Sequence, residues 1–326
     1  MIRSVITGMG HGVPNKIMTN FDLEKIVDTN DEWIHSRTGI RERRVCAEDE
    51  LASDLSIKAA NEAIAAAGIS AADLDFVIVA TVSGDFVFPS VACLVQDKIG
   101  AQCAAFDLGA ACAGFIYSLS VADGLIRSGQ AKHILVVGVD TLTKYVDWSD
   151  RSTCVLFGDA AGAAVISATE GTDRGVLETV LFSDGSGGFH ISMLSGRTKY
   201  PPFMPLEEQE SPYLYMNGSE TYRFAVNALG DACSKVLEKA GMTAEDVSLF
   251  VPHQANVRII ESAAKKIGLD SDKVFLNIEK YGNTSAGSIP LALFEAERDG
   301  RLKPGDIVLT VGFGAGLVWG ANLIRW

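Results

Sequence analysis

Phe106-Asp107-Leu108-Gly109-Ala110-Ala111-Cys112-Ala113-Gly114-Phe115 joins a strand to a helix and sets a thiol at the join. The apolar run 103–108 reads as a buried strand, and three small residues after it make a tight turn. From Cys112 onward, Phe115, Ile116, Leu119, Val121, Ala122, Leu125 and Ile126 recur with the 3.6-residue period of a helix that ends near Gly129. Cys112 is therefore expected at a helix N-terminus, where unpaired backbone N–H groups and the helix dipole favour negative charge and lower a thiol pKa. That environment makes a cysteine nucleophilic. The same residues also read as a small cysteine buried in a core, so the rest of the chain has to decide.

Working outward, the segment 67–76 (Ala-Gly-Ile-Ser-Ala-Ala-Asp-Leu-Asp-Phe) is echoed by 240–249 (Ala-Gly-Met-Thr-Ala-Glu-Asp-Val-Ser-Leu), an offset of 173 residues. At that offset Gly109, Cys112 and Gly114 fall on Gly282, Ser285 and Gly287, and Ile134-Leu135-Val136 falls on Ile307-Val308-Leu309. Two copies at so long a period are not a solenoid, whose repeats run about 20 to 50 residues. They predict a duplicated α/β unit, with halves 1–172 and 173–326, whose matching strand-to-helix turns converge on one site. Strand-like segments at 77–82, 103–108, 134–139, 162–166, 248–251 and 307–311 alternate with helical ones, as in an α/β fold with central sheets covered by helices. Between the halves, 183–213 is rich in Gly, Pro and Ser and reads as a loop or cap.

The chain has 326 residues, 48% of them hydrophobic, enough for a sizeable core. No run approaches the roughly 18 uncharged apolar residues of a membrane span, and the first eight residues read as a strand rather than a signal peptide. A soluble, cytoplasmic protein is expected. The six cysteines are scattered without a C-x-x-C pair, so neither a disulfide framework nor a metal site is suggested. The formal charge of −13 argues against nucleic acid as a partner and means that an acidic protein partner would need a local basic patch.

Three further motifs bear on Cys112. Pro252-His253-Gln254-Ala255-Asn256 sets a histidine just past an apolar strand. Tyr281-Gly282-Asn283-Thr284-Ser285-Ala286-Gly287 sets an amide in the repeat of the Cys112 turn. Gly312-Phe313-Gly314-Ala315-Gly316 follows a strand with glycines that let backbone N–H groups approach a reacting atom, and it lacks the G-x-G-x-x-G of a dinucleotide site. Cys, His and Asn together fit two chemistries. In a papain-like hydrolase the His is a base oriented by the Asn; in a decarboxylating condensing enzyme both donate hydrogen bonds to a thioester oxygen that becomes an enolate.

The order and context of these motifs resemble the thiolase-superfamily condensing enzymes, most closely the β-ketoacyl-acyl-carrier-protein synthase III family. The likeness extends over nearly the whole chain, including Thr29 to Ile34, Arg37 to Arg43, and Asp150-Arg151-Ser152-Thr153 ahead of Phe157-Gly158-Asp159. It implies a thiolase-like fold and the first condensation of type II fatty acid synthesis. A short acyl-coenzyme A primer acylates Cys112, and malonyl-acyl carrier protein loses carbon dioxide under His253 and Asn283. A 3-oxoacyl-carrier protein results, with coenzyme A thioester as substrate and no cofactor or metal. A related acyltransferase of secondary metabolism with the same three residues is the alternative.

The resemblance further implies an oxyanion site at the backbone of Gly314, Ala315 and Gly316 and an acyl-pocket wall of Phe313, Leu142 and Phe157. Phe88 is implied to reach across a homodimer interface into the neighbour's pocket. Trp33, Arg37, Arg151 and Asn256 match coenzyme A-binding positions, and Arg258, Lys265 and Lys266 form a basic stripe suited to an acidic carrier protein. Three departures stand out: Ser219 replaces a common Asn on the pantetheine channel, and Ala160 and Ala315 replace glycines. The segment 189–212 is longer than in compact members.

Overall fold

The computed structural model of the chain describes residues 2–194, 198, 204 and 211–326. In chain order the elements begin with β1 (Ile2–Gly12), β2 (Ile17–Thr19), α1 (Asn20–Leu23), α2 (Asp31–Thr38), β3 (Glu42–Arg44) and α3 (Ala52–Ala67). Then come β4 (Phe76–Ala80), α4 (Val91–Ile99), β5 (Ala104–Leu108), α5 (Gly114–Arg127), β6 (His133–Thr141), β7 (Asp159–Glu170) and β8 (Gly175–Ser183). The chain continues through β9 (Ile191–Ser192), β10 (Tyr215–Met216), α6 (Gly218–Ala240), β11 (Leu249–Pro252) and α7 (Val257–Lys266). It closes with α8 (Ile278–Tyr281), α9 (Ser288–Arg298), β12 (Ile307–Gly314) and β13 (Val318–Arg325). Among the described residues no helix is long and apolar enough to cross a membrane.

Two sheets carry the architecture, one ordered β1-β7-β6-β4-β5 and the other β11-β12-β13-β8. In the first, β4 runs parallel to both β5 and β6; in the second, β11 runs parallel to β12. Side chains of α5 (Phe115, Ile116, Leu119) and α9 (Ile289, Ala292, Leu293) share one core with Ile78 and Val136 of the first sheet and Val251 and Val308 of the second. These two helices therefore fill the space between the sheets. Alanine-rich α3 covers the outer face of the first sheet, and α6 and α7 cover the second. Apolar stripes at helical spacing are what make this layering possible, since each helix buries one face and α9 buries most of its residues.

The repeat is visible in the elements, with a one-residue slip. The helix ends Gly68 and Gly241, both left-handed, and the strands β4 and β11 keep the offset of 173. At the turns the equivalence is 174: Ala111 matches Ser285 and Gly114 matches Ser288 as first residues of the short 3-10 turn and of the helix behind it. Phe76 pairs with Ile134 as Leu249 pairs with Val308, so the slip persists into β6 and β12. Cys112 therefore answers to Ala286, not to Ser285 as the single offset predicts. The second half is one residue longer between its strand and its turn, and there a bridge between Phe250 and Val274 stands in place of the full strand β5.

One strand departs from its expected burial. β5 lies at the open edge of its sheet with Ala104 and Phe106 exposed, so the apolar run 103–108 is not an interior strand. The expected helix at Cys112 also begins two residues later, at Gly114, and ends at Arg127.

Candidate active site

The turn before α5 and the turn before α9 meet between the sheets. Each begins with a non-glycine residue in the left-handed region, Ala111 at φ 42° and Ser285 at φ 50°, an arrangement that costs energy and marks sites where the surroundings over-determine the backbone. Cys112 follows Ala111 within its turn, and the Ser285 hydroxyl donates to Cys112 Sγ at 3.2 Å. The end of β12 closes in from the side. A Cβ at Gly314 would fall 2.6 Å from the Cys112 nitrogen, so only glycine lets this strand reach the turn. Ala315 does not adopt a left-handed backbone, and its replacement of glycine carries no strain.

The expected effect on the thiol is reversed. Enclosure by protein pushes the Cys112 thiol up to about 12, and the nearby Asp140 carboxylate adds to that against the opposing Ser285 hydrogen bond. Cys112 lies in the 3-10 turn Ala111–Ala113, which runs directly into α5 at Gly114.

His253 sits at the end of β11, its backbone N–H donating to Val311 O at 2.7 Å, and it is 1% exposed. Burial holds its ring down to about 3, so it is neutral across the physiological range. Its Nδ1 lies 3.0 Å from Ser288 Oγ, the hydroxyl that also accepts the Gln254 N–H at 2.8 Å. Phe313 stands edge-on to the imidazole, with ring centroids 5.9 Å apart. Asn283 is fixed at both ends: its backbone bonds Leu156 O and Gly158 N, and its Oδ1 accepts the Ser285 N–H at 2.9 Å. With Oδ1 occupied, the Nδ2 amide group is the end left for a ligand.

Cys112, His253 and Asn283 line one cavity of about 870 Å³ together with Phe313, Gly314, Ala315, Gly316, Leu142 and Phe157. Trp33, Arg37, Asn256 and Arg258 line it too, toward the face carried by α2 and the start of α7. The guanidinium carbons of Arg37 and Arg151 lie 5.0 and 5.1 Å from the Trp33 ring centre, in cation–π contact, and Arg151 also bonds Asp28 O. Asn256 caps α7 and donates to Arg37 O at 3.0 Å. Ser219 is exposed, bonds Asn217, and lies off the cavity.

The basic stripe on α7 divides. Arg258 reaches Ser36 O at 2.8 Å, Lys265 is exposed, and Lys266 turns to α6 and pairs with Asp231 at 2.7 Å. Phe88 is 83% exposed and does not line this chain's cavity, standing beside exposed Phe86 and Val87. Of the segment 189–212, Phe189 and residues 191–194 line the cavity mouth; most of the rest lies outside the described residues. Among the described residues no group of three His, Cys, Asp or Glu side chains is placed to hold a metal.

Sequence reasoning missed the supports of this site. Gln254 spends its amide on Pro252 O and Phe275 O and its carbonyl on the N–H groups of Asn277 and Ile278, tying the His253 strand to the segment that leads to Asn283. Arg43 is fully buried, bonds Asn20 Oδ1 and Val155 O, and so holds the segment whose Phe157 bridges to Asn283. Asp140 was signalled only by a carboxylate ending the apolar run 134–139.

Comparison with known proteins gives a consistent result. Residues 106–185 match the family described as 3-oxoacyl-[acyl-carrier-protein] synthase III, and residues 237–326 match its C-terminal counterpart. A beta-ketoacyl-[acyl-carrier-protein] synthase III of Caldanaerobacter subterraneus is 48% identical over 326 residues, covering 100% of this chain and 98% of the relative. That of Symbiobacterium thermophilum is 51% identical, with 98% and 97% covered. The crystal structure of 3-oxoacyl-[acyl-carrier-protein] synthase III from Aquifex aeolicus superposes with a TM-score of 0.91 at 47% identity, over 99% of this chain and 100% of that one.

Proposed function

The chain belongs to the 3-oxoacyl-acyl-carrier-protein synthase III family, and on that premise we propose how its cavity works. The enzyme is the initiating condensing enzyme of type II fatty acid synthesis. It joins an acyl-coenzyme A primer to malonyl-acyl carrier protein, releasing carbon dioxide and coenzyme A. The observation that carries this reading is the convergence of Cys112, His253 and Asn283 on one cavity, two of them held in the state that condensation needs. Use of the same side chains in secondary metabolism finds less support in the near-50% likeness of the whole chain to fatty acid enzymes.

Cys112 Sγ attacks the primer's thioester carbon, and the backbone N–H groups of Cys112 and of the 314–316 segment receive the developing oxyanion. Coenzyme A leaves an acyl-enzyme behind. For the second half, the tautomer of His253 matters. We assign the Ser288 hydroxyl as the donor to His253 Nδ1, which leaves the ring proton on Nε2, the tautomer that this step uses. Nε2–H and the Asn283 amide then both donate to the malonyl thioester oxygen and stabilise the enolate that remains when carbon dioxide departs. Phe313 offers the carboxylate no solvation, which favours its loss as a neutral gas. The enolate carbon attacks the Cys112 acyl group.

Trp33, Arg37, Arg151 and Asn256 suit the coenzyme A nucleotide and its pantetheine arm, with ring stacking and charge pairing at the mouth. The halves 1–172 and 173–326 act as two copies that each supply one turn to the site. A homodimer accounts for the open edge of β5 and for exposed Phe86, Val87, Phe88 and Phe106, since a bare apolar sheet edge invites pairing with another chain. In such a dimer Phe88 caps the partner's acyl pocket. Soluble substrates fit a cytoplasmic location.

Intact-protein mass spectrometry after incubation with a panel of acyl-coenzyme A thioesters tests the reading. Acyl groups of about two to four carbons are expected to add to Cys112 much faster than longer ones, because overpacking a closed pocket costs about 1–3 kcal/mol. No covalent adduct with any primer would overturn the function; equal labelling by a dodecanoyl thioester would overturn the closed pocket. Carrier docking has its own test. Lys265→Glu is expected to raise KM for malonyl-carrier protein severalfold and to leave acylation by acyl-coenzyme A as it was, since a rim charge steers encounter rather than chemistry. An unchanged KM removes Lys265 from the docking surface.

A further inference from the structure

Glu295 is a carboxylate of α9 that is 2% exposed and does not line the cavity. Burying such a group is costly unless donors replace the water it loses. Three side chains do so. Asn277 Nδ2 donates to Oε2 at 3.0 Å, Tyr281 Oη donates to Oε1 at 2.8 Å, and the half-exposed Arg298 donates to Oε1 at 3.2 Å. Asn277 and Tyr281 are themselves buried, and they bracket α8, the single turn that leads through Gly282 into Asn283. One helical turn is too short to hold itself in place, so the position of α8 is imposed from outside. At its start Gln254 Oε1 accepts the N–H groups of Asn277 and Ile278. Glu295 takes a side chain from either end, the second belonging to Tyr281, two residues before Asn283. Gly282 between them is packed so closely that a Cβ would fall 2.8 Å from Leu156 O, which leaves the join little room to absorb a shift of Tyr281.

The same helix reaches the other donor. Ser288 Oγ lies 3.0 Å from His253 Nδ1. Ser288 and Glu295 are separated by close to two helical turns, so they lie on one face of α9, about 10 Å apart along its axis. One helix thus touches the supports of both groups that face the thioester oxygen.

We propose that Glu295 is a positioning residue for Asn283, clamping both ends of α8 to α9 and so setting where the amide stands relative to His253. The inference rests on the reading that these two groups donate to the malonyl thioester oxygen. Glu295 touches neither substrate nor reacting atoms, and its effect reaches decarboxylation through Asn283. Two donors aimed at one oxygen are sensitive to such a shift, because hydrogen bonds weaken steeply with angle and a displacement of about 1 Å costs about 10²-fold. Cys112 belongs to the turn before α5, which the clamp does not touch.

The test compares carbon dioxide release from malonyl-carrier protein with acyl labelling by acetyl-coenzyme A, on the whole protein. The variants are Glu295→Ala, Tyr281→Phe, Asn283→Ala and each of the first two combined with Asn283→Ala. Tyr281→Phe removes one hydroxyl and keeps the ring that Arg44 covers at 5.2 Å, so it spares the packing. Glu295→Ala is expected to lower kcat for decarboxylation about 10- to 10²-fold, and Tyr281→Phe about threefold or more, with KM for malonyl-carrier protein unchanged. Labelling of Cys112 is expected at the wild-type rate in both. In the Asn283→Ala background neither substitution is expected to slow decarboxylation further, because the group they position is gone. Losses that multiply in the double variants, or that lower labelling by the same factor as decarboxylation, are what a general weakening of the fold gives, and either overturns the proposal. So does wild-type decarboxylation by Glu295→Ala. If Glu295→Ala fails to fold, Tyr281→Phe decides by the same comparisons. Normal decarboxylation by Asn283→Ala overturns the site reading and the clamp with it; slow decarboxylation by Asn283→Ala beside normal rates in Glu295→Ala and Tyr281→Phe overturns the clamp alone.

Discussion

Cys112→Ala is expected to abolish acyl labelling and condensation, a fall of roughly 10⁶-fold if it follows other enzymes stripped of their nucleophile, while malonyl-carrier protein is still decarboxylated. The separation follows from where the parts sit. The sulfur belongs to the turn before α5, whereas the two donors proposed for the enolate oxygen lie just past β11 and at the turn before α9. Neither donor is held by the sulfur: His253 is anchored through Ser288 and Val311 O, and Asn283 through Ser285 N, Leu156 O and Gly158 N. Three half-reactions measured on the variant decide the matter: acyl labelling, carbon dioxide release and 3-oxoacyl product. A Cys112→Ala protein that still takes up an acyl group would remove Cys112 from its role. One that stops releasing carbon dioxide would show that the thiol belongs to the decarboxylating set as well.

The parts of the fold legible in the sequence are those where one chain segment carries its own pattern. The period of Phe115, Ile116 and Leu119 announces α5, and the doubled Ala-Gly-x-x-Ala block announces two copies of one unit. The trio proposed for catalysis stands out in the sequence for the same reason, since each member lies in a short run that ends a strand or opens a turn. Relations between segments were less accessible. β5 looks interior because its residues are apolar, but apolarity cannot distinguish burial within one chain from an edge left open for another. The single offset misplaced Cys112 by one residue against its repeat, because the second half is one residue longer between its strand and its turn and the motif itself shows no gap.

The thiol is the largest miss of chemistry. Position near a helix start suggests a low pKa, whereas enclosure by protein acts in the opposite direction, and enclosure depends on segments distant in sequence. Asp140, Ser288 and Gln254 are hidden for a related reason. Each acts through a partner that is distant in sequence, such as Ala286 for Asp140 or Phe275 for Gln254.

His253→Ala and Asn283→Ala are each expected to lower malonyl decarboxylation about 10²- to 10³-fold, the usual loss when one oxyanion donor is removed, while acylation of Cys112 continues. This distinguishes the two chemistries that a Cys, a His and an Asn permit. In a cysteine hydrolase the His takes the thiol proton, and its removal stops acylation. Here the ring is an unpromising base. Burial lowers its pKa from 6.5 to about 3, so the ring has little affinity for a proton and any proton it gains makes a buried cation. The same shift fixes the pH dependence. A ring that protonates only as pH falls toward about 3 stays neutral, with its Nε2–H available, throughout the ordinary range. Decarboxylation is therefore expected to show no inflection between roughly pH 5 and 8, where an unperturbed histidine would give one near 6.5. The measurement is carbon dioxide release across that range for wild type and both variants, alongside acyl labelling of each. Normal decarboxylation by Asn283→Ala would remove the amide from the oxyanion site. Loss of labelling in His253→Ala would make the imidazole the base for Cys112 and return the site to the hydrolase pattern.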